Sequence, residues 1–139
     1  MRGTKPELRS IEGGLSKAPA APVTLPESMQ ALWVETAADL AARGLLHQSM
    51  LPVLESYLTS VWMVHLCQKA IAEHGVLVSA GQGQHKANPA CGIMSDHLGY
   101  IARAADNLGL SAVSRNRPAL KAHAQAVNDA DDPLSEFDV

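Results

Sequence analysis

Apolar positions fall at helical spacing in three blocks, and each block ends at a glycine. In the first, Met29, Leu32, Trp33, Ala37, Leu40 and Ala41 recur every three or four residues. Thr24 and Glu27 have the spacing of a capping box, so the helix is expected to begin near Thr24. Gly44 should stop it, because glycine enters the left-handed region at little cost.

The second block predicts a helix from about residues 47–49 to Glu73, with Pro52 in its first turn, where a missing amide costs little. Its stripe is Leu54, Tyr57, Leu58, Val61, Trp62, His65 and Leu66, and Val53, Val64 and Ile71 widen it beyond one face. A helix this apolar is expected to be covered on more than one side. The short connection predicts that the first two helices form an antiparallel hairpin.

Gly75 ends the second block. Val76-Leu77-Val78 followed by a glycine-rich turn predicts a small β-hairpin over residues 76–87. Asn88 and Pro89 then read as cap and first residue of a third helix. Ile93, Met94, His97, Leu98, Ile101, Ala102, Ala105 and Leu108 are its expected buried face. Gly109 should end it, with Ser111 capping one further turn. The fold class is therefore mainly α: a helical hairpin, a third long helix and a small β-hairpin.

Charge adds a division that hydropathy does not show. Net charge is +2 over residues 1–24, −1 over 25–118 and −4 over 119–139, within a total of −3. Residues 1–24 read as a flexible basic arm, 25–118 as a helical core, and 119–139 as a flexible acidic tail. A basic arm and an acidic tail suggest two partners of opposite character. In the tail, Leu134 and Phe137 stand among acidic residues, a pattern that suits a docking motif as well as a solvated end. Aromatics make up only 4% of the 139 residues, so the core is small and self-association is expected to add burial. Leu54, Leu58, Val61 and Trp62 are the expected oligomer interface.

Candidate chemistry is sparse. Arg2, Lys5, Arg9 and Lys17 can track phosphates from a flexible arm, and Lys86, Arg115 and Arg117 form a second candidate set for DNA. Gly81-Gln82-Gly83-Gln84-His85-Lys86 lacks the Gly-Lys-Ser/Thr ending of a phosphate loop and reads as a turn. His65, Cys67, His74, His85, Cys91 and His97 have no ligand spacing, so no metal or other cofactor is expected, and Cys67 and Cys91 read as small helical hydrophobes. Trp33 and Trp62 lie in apolar stripes and read as core anchors. No set of nucleophile, base and orienting residue stands out, so no enzyme activity is expected. No membrane span or secretory signal is evident, and a cytoplasmic location is expected.

Several runs resemble the small subunits of bacteriophage terminases. The run Leu108-Gly109-Leu110-Ser111-Ala112-Val113-Ser114-Arg115-Asn116-Arg117 is similar to that family's Leu-Gly-Leu-Thr-Pro-x-Ser-Arg-x-Arg. Met1-Arg2-Gly3-Thr4-Lys5-Pro6 and Gly13-Gly14-Leu15-Ser16-Lys17-Ala18-Pro19 resemble its opening. Leu25-Pro26-Glu27 with Trp33, Arg43-Gly44-Leu45-Leu46, the run Leu51–Tyr57, and Asn88-Pro89-Ala90 match it in between. Asp131-Asp132-Pro133-Leu134-Ser135-Glu136-Phe137 looks like its acidic close. Departures are His47 at a usual threonine cap, Ala112-Val113 in place of a proline-containing pair, and a less basic arm. The resemblance implies a non-enzymatic adaptor of a phage, a prophage or a gene transfer agent. Such subunits form rings, hold viral DNA and recruit a large subunit that carries the ATPase and nuclease. The alternative is a helical homo-oligomeric interaction module without DNA binding.

Overall fold

A computed structural model describes residues 13–115, except the side chains of Val113 and Arg115. The elements are α1 (Glu27–Ala42), a 3₁₀ turn (Gln48–Met50), α2 (Leu51–His74), β1 (Leu77–Gly81), β2 (Gln84–Ala87), α3 (Pro89–Leu108) and a last turn, α4 (Ala112–Arg115).

Backbone chemistry at the helix ends follows the sequence closely. Gly44 takes φ +66° and lets the Leu45 amide donate to Leu40 O at 2.9 Å. Gly109 repeats the device at φ +80°, with the Leu110 amide on Ala105 O at 2.8 Å. Each closes exposed carbonyls of the last helical turn. His47 does the work of the missing threonine, since its Nδ1 accepts from the Ser49 amide at 3.2 Å. Ser111 Oγ caps α4 by accepting from the Ser114 amide at 3.1 Å.

The start of α1 differs from expectation. Its first residue is Glu27, it follows Pro26, and no side chain caps it. The Thr24 hydroxyl instead donates to the Glu55 carboxylate on α2. A long-range acceptor has displaced the local capping box.

Asn88 joins three elements. Its Oδ1 accepts from the Ala90 amide at 3.0 Å, capping α3. Its Nδ2 donates to Gly75 O at 2.8 Å, at the end of α2. Its own amide donates to Val76 O at 2.8 Å, closing the base of the ribbon. Asn88→Ala is expected to cost about 1–2 kcal/mol, within the range of lost N-caps. A urea melt checks this, and a change under 0.3 kcal/mol would remove Asn88 as the tie between α2 and α3.

The close antiparallel pair is α2 with α3, which corrects the expected α1–α2 hairpin. Gly75 meets Asn88, Ser60 meets His97, and Leu54 and Leu58 share a cluster with Leu108. Rising numbers on α2 therefore face falling numbers on α3. Both ends of α1 are tied to one end of this pair, through Thr24 to Glu55 and through Arg43 to Gly109 O. A 16-residue helix is roughly 24 Å long, so α1 crosses that end instead of running along α2.

The core sits where α1 crosses. Leu25, Met29, Trp33, Ala37, Leu40, Leu45, Leu46, Leu54, Leu58 and Leu108 form it. Residues 13–24, expected as part of a flexible arm, lie against this core. Leu15, Ala18 and Ala21 pack on it, the Leu15 amide donates to Leu46 O at 2.8 Å, and Trp33 Nε1 donates to Pro19 O at 3.0 Å.

Beyond Leu58 the described residues narrow to the α2–α3 pair. Along that stretch only Ser60, Val64 and Cys67 of α2 are buried, and no residue of α3 before Ala104 is. The expected α2 stripe is corrected there, because His65 is exposed and Leu66 is 43% exposed. Burial rotates from the α1-facing side, at Leu54 and Leu58, to the α3-facing side, at Val64 and Cys67. The ribbon lies at the far end. β1 and β2 pair antiparallel through Gln82-Gly83, both at positive φ, as a tight hairpin turn requires.

Candidate nucleic-acid and partner interfaces

Of the expected DNA contacts, Lys17 and Lys86 have described side chains, and both are exposed. They do not form one patch. Lys17 sits on the segment that covers the core, and Lys86 sits on β2 beyond the other end of α2. That helix has 24 residues, so roughly 36 Å of rise lies between the two ends. Arg115 lies in α4 without a described side chain, and Arg2, Lys5, Arg9 and Arg117 lie outside the described residues, as do Leu134 and Phe137. The Gly81–Gln84 run is the turn of the ribbon.

Arg43 has a structural task. Its Nη1 donates to Gly109 O at 2.9 Å and its Nη2 pairs with Asp39 at 2.8 Å. This clamps the end of α1 to the end of α3, just before the chain enters α4. Across residues 13–115 six basic side chains face seven acidic ones, so the described body is close to neutral. A near-neutral body offers little of the counterion release that drives phosphate binding.

One feature of the described surface was not expected from the sequence. An open groove of about 510 Å³ runs between α2 and α3. Glu55, Ser56, Thr59 and Ser60 form one wall, and Asp96, His97 and Tyr100 form the other. The floor is held by His97 Nδ1 and Ser60 Oγ, 3.1 Å apart. His97 is thus a hydrogen-bonded structural histidine, as its position in the stripe suggested. The sequence signal was available: 56/59/60 and 96/97/100 each share a helix face. What was missing was the pairing of α2 with α3.

The same spacing carries both walls toward the ribbon. Ser56, Thr59 and Ser60 lead to Met63 and Leu66, while His97 and Tyr100 lead back to Ile93. At the level set by Ser60 and His97, Leu66 stands across from Ile93. Each is 43% exposed. Leu66 and Ile93 thus lie further toward the ribbon than the residues lining the groove, with Asp96 one turn from Ile93.

The opposite flank of α3 carries a second apolar strip. Cys91, Met94, Leu98, Ala102 and Ala105 follow one another at three- and four-residue steps, and none is charged. Leu98 is 47% exposed and Ala102 is exposed. These two were expected in the buried face, as was Ile93. The correction has a simple cause: the stripe on α3 is wider than α2 alone can cover. Leu54 and Leu58, expected at an oligomer interface, are fully enclosed by the chain's own core and have no surface left for a partner. Val61 and Trp62 pack partly buried against that core.

Cys67 is buried and Cys91 half-buried, both as free thiols. Among the described residues no three His, Cys, Asp or Glu side chains are placed to hold a metal. Within the same residues no helix is long and apolar enough to cross a membrane.

A family model described as phage terminase, small subunit, matches residues 30–125. The chain belongs to that family. The match runs from within α1 through both partners of the α2–α3 pair and the ribbon. No curated protein and no solved structure matches the chain. Membership suggests a role in phage DNA packaging, in a family whose small subunit is generally non-catalytic and whose partners in general are DNA and a large terminase subunit.

Proposed function

We propose that this small terminase subunit is a ring-forming adaptor. It holds DNA through its amino-terminal arms and recruits and regulates the large subunit through its acidic carboxyl-terminal segment. The observation that carries the reading is the family match together with the division of charge along the chain. The folded body is near neutral, so cations able to meet phosphates concentrate in Arg2, Lys5 and Arg9, with Lys17 at the root of the arm. Three or four cations bind DNA weakly in one copy. A closed assembly presents one arm per subunit, and linked weak contacts gain affinity by effective concentration.

Self-assembly is supported by the exposed flanks of the α2–α3 layer. Among the described residues Leu66, Ile93 and Leu98 are exposed on α2 and α3, and contiguous exposed apolar surface commonly marks an interaction site. The role of the tail rests on Leu134 and Phe137 within an acidic segment. Removing residues 131–139 is expected to leave the number of subunits in the assembly unchanged while abolishing stimulation of the large subunit's ATPase. Native mass spectrometry and an ATPase titration check the two halves separately. Full stimulation by the truncated chain would remove the docking role.

A second reading, a homo-oligomeric interaction module without DNA binding, draws on the near-neutral described body. Absence of measurable DNA binding by the full chain even at low salt would favour it.

A further inference from the structure

We infer that the basic arm of this chain, residues 1–12, lies back in the α2–α3 groove while no DNA is bound, so that the same cations serve either the groove's carboxylates or DNA phosphates. This rests on the DNA-holding reading above and adds a site that competes with DNA for the arm.

The lining of the groove selects for such an occupant. Glu55 on one wall and Asp96 on the other bring two carboxylates, and Ser56, Thr59 and Tyr100 add hydroxyl oxygens able to accept hydrogen bonds. No lysine or arginine lines it. The Tyr100 ring and the Thr59 methyl give carbon surface for long aliphatic stems, and an aromatic face also attracts a guanidinium. Residues 1–12 supply Arg2, Lys5 and Arg9 at three- and four-residue steps, with Leu8 and Ile11 between and beyond. The carboxyl-terminal segment is the other stretch outside the described residues. Its net charge of −4 over residues 119–139 sets it against Glu55 and Asp96.

Reach is the second argument. The segment that follows the arm is tied beside the groove: the Leu15 amide donates to Leu46 O, and the Thr24 hydroxyl donates to Glu55 itself. Leu46 precedes Glu55 by five connecting steps and four helical ones, so the two stand at most about 23 Å apart. Twelve extended residues span roughly 40 Å, enough to enter the groove with length to spare. A short tether holds the arm at an effective concentration in the millimolar range, so a few weak ion pairs suffice. An arm from another molecule in dilute solution lacks that advantage. DNA must then displace the arm, and its apparent affinity falls by the fraction of arms that are free.

The test uses the full chain. A zero-length carbodiimide cross-linker joins an amine to a carboxylate in contact, and peptide mass spectrometry locates the bond. Without DNA, Lys5 is expected to link to Glu55 or Asp96, and the link is expected to vanish with excess duplex DNA. A mixture of light and heavy isotope-labelled protein shows whether both ends belong to one copy. The second arm of the test is Glu55→Gln with Asp96→Asn, in which glutamine keeps an acceptor for Thr24 and circular dichroism verifies folding. DNA affinity at about 50 mM salt is expected to rise at least threefold, as for an arm otherwise stowed two-thirds of the time. Combined with Arg2, Lys5 and Arg9 changed to glutamine, the same groove variant is expected to bind DNA no better than the arm variant alone. Should Glu55→Gln unfold the chain, Asp96→Asn alone, at an exposed position, is expected to raise affinity in the same arm-dependent way.

Absence of links from Lys5 to either carboxylate would overturn the stowed arm, and links found only between copies would overturn its assignment to the same chain. A gain in affinity that persists without the arm cations would show plain charge removal and overturn it too. Equal DNA binding by the wild-type chain and the arm variant would sink the DNA-holding reading instead, while the cross-link measured without DNA still reports on the groove. The two failures are therefore told apart.

Discussion

Trp33→Ala is expected to be the most damaging single substitution in the folded body, at about 3–5 kcal/mol. Trp33 is 1% exposed and stands mid-way along α1 in the row Met29, Trp33, Ala37 and Leu40. Its indole fills the space between α1 and the covering segment, and its Nε1 donates to Pro19 O at 3.0 Å. Truncation leaves a cavity and an unbonded carbonyl and frees residues 13–24 from the core. With stability of a domain this size at about 5–15 kcal/mol, the loss takes a large share. Urea unfolding measures it. Trp33→Phe keeps most of the packing and is expected to lose far less, mainly the hydrogen bond at about 1 kcal/mol. If alanine cost less than 1 kcal/mol, the packing of the segment on α1 would not be a source of stability.

Neutralising Arg2, Lys5 and Arg9 to glutamine is expected to lower DNA affinity at least a hundredfold near 50 mM salt. Each phosphate contact contributes roughly 0.9 to the slope of log affinity against log salt on duplex DNA. Three lost cations therefore remove about 2–3 from that slope for every engaged arm. Fluorescence anisotropy over a salt series reads both quantities. The choice of substitution over deletion follows from the fold. Cutting through residue 20 would remove Leu15, Ala18 and Pro19 O, which belong to the core, and would mix unfolding with lost binding. An unchanged slope would shift DNA contact to the folded body, where Lys17 and Lys86 lie at opposite ends.

Much of the fold was legible in the chain because its punctuation is local. Gly44, Gly75 and Gly109 stop helices where they were expected, and Asn88 with Pro89 starts α3. The ribbon forms where a short apolar run meets a glycine-rich turn. Each of these features is decided within about five residues, by amides and carbonyls that close on near neighbours. Thr24 shows the limit of the same logic. Its spacing to Glu27 suits a cap, but Glu55, 31 positions away, takes the hydroxyl.

The faces were harder to read. Periodicity identified apolar stripes on α2 and α3 yet not which part of each stripe the chain itself would cover. Leu54 and Leu58 looked like interface and became core, whereas Leu98 and Ile93 looked like core and stayed half in solvent. The groove could not be foreseen, because it exists only once α2 and α3 pair.

The sequence by itself determined the elements, the ends marked by Gly44, Gly75, Asn88 and Gly109, the charge division and the family, since those caps, turns and motifs are written in contiguous residues. Tertiary structure alone decided which helices pair, where α1 crosses and what is left exposed. Those outcomes depend on contacts such as Ser60 with His97, 37 positions apart, and Arg43 with Gly109, 66 apart. Periodicity along one helix carries no information about which distant helix will complete such a contact.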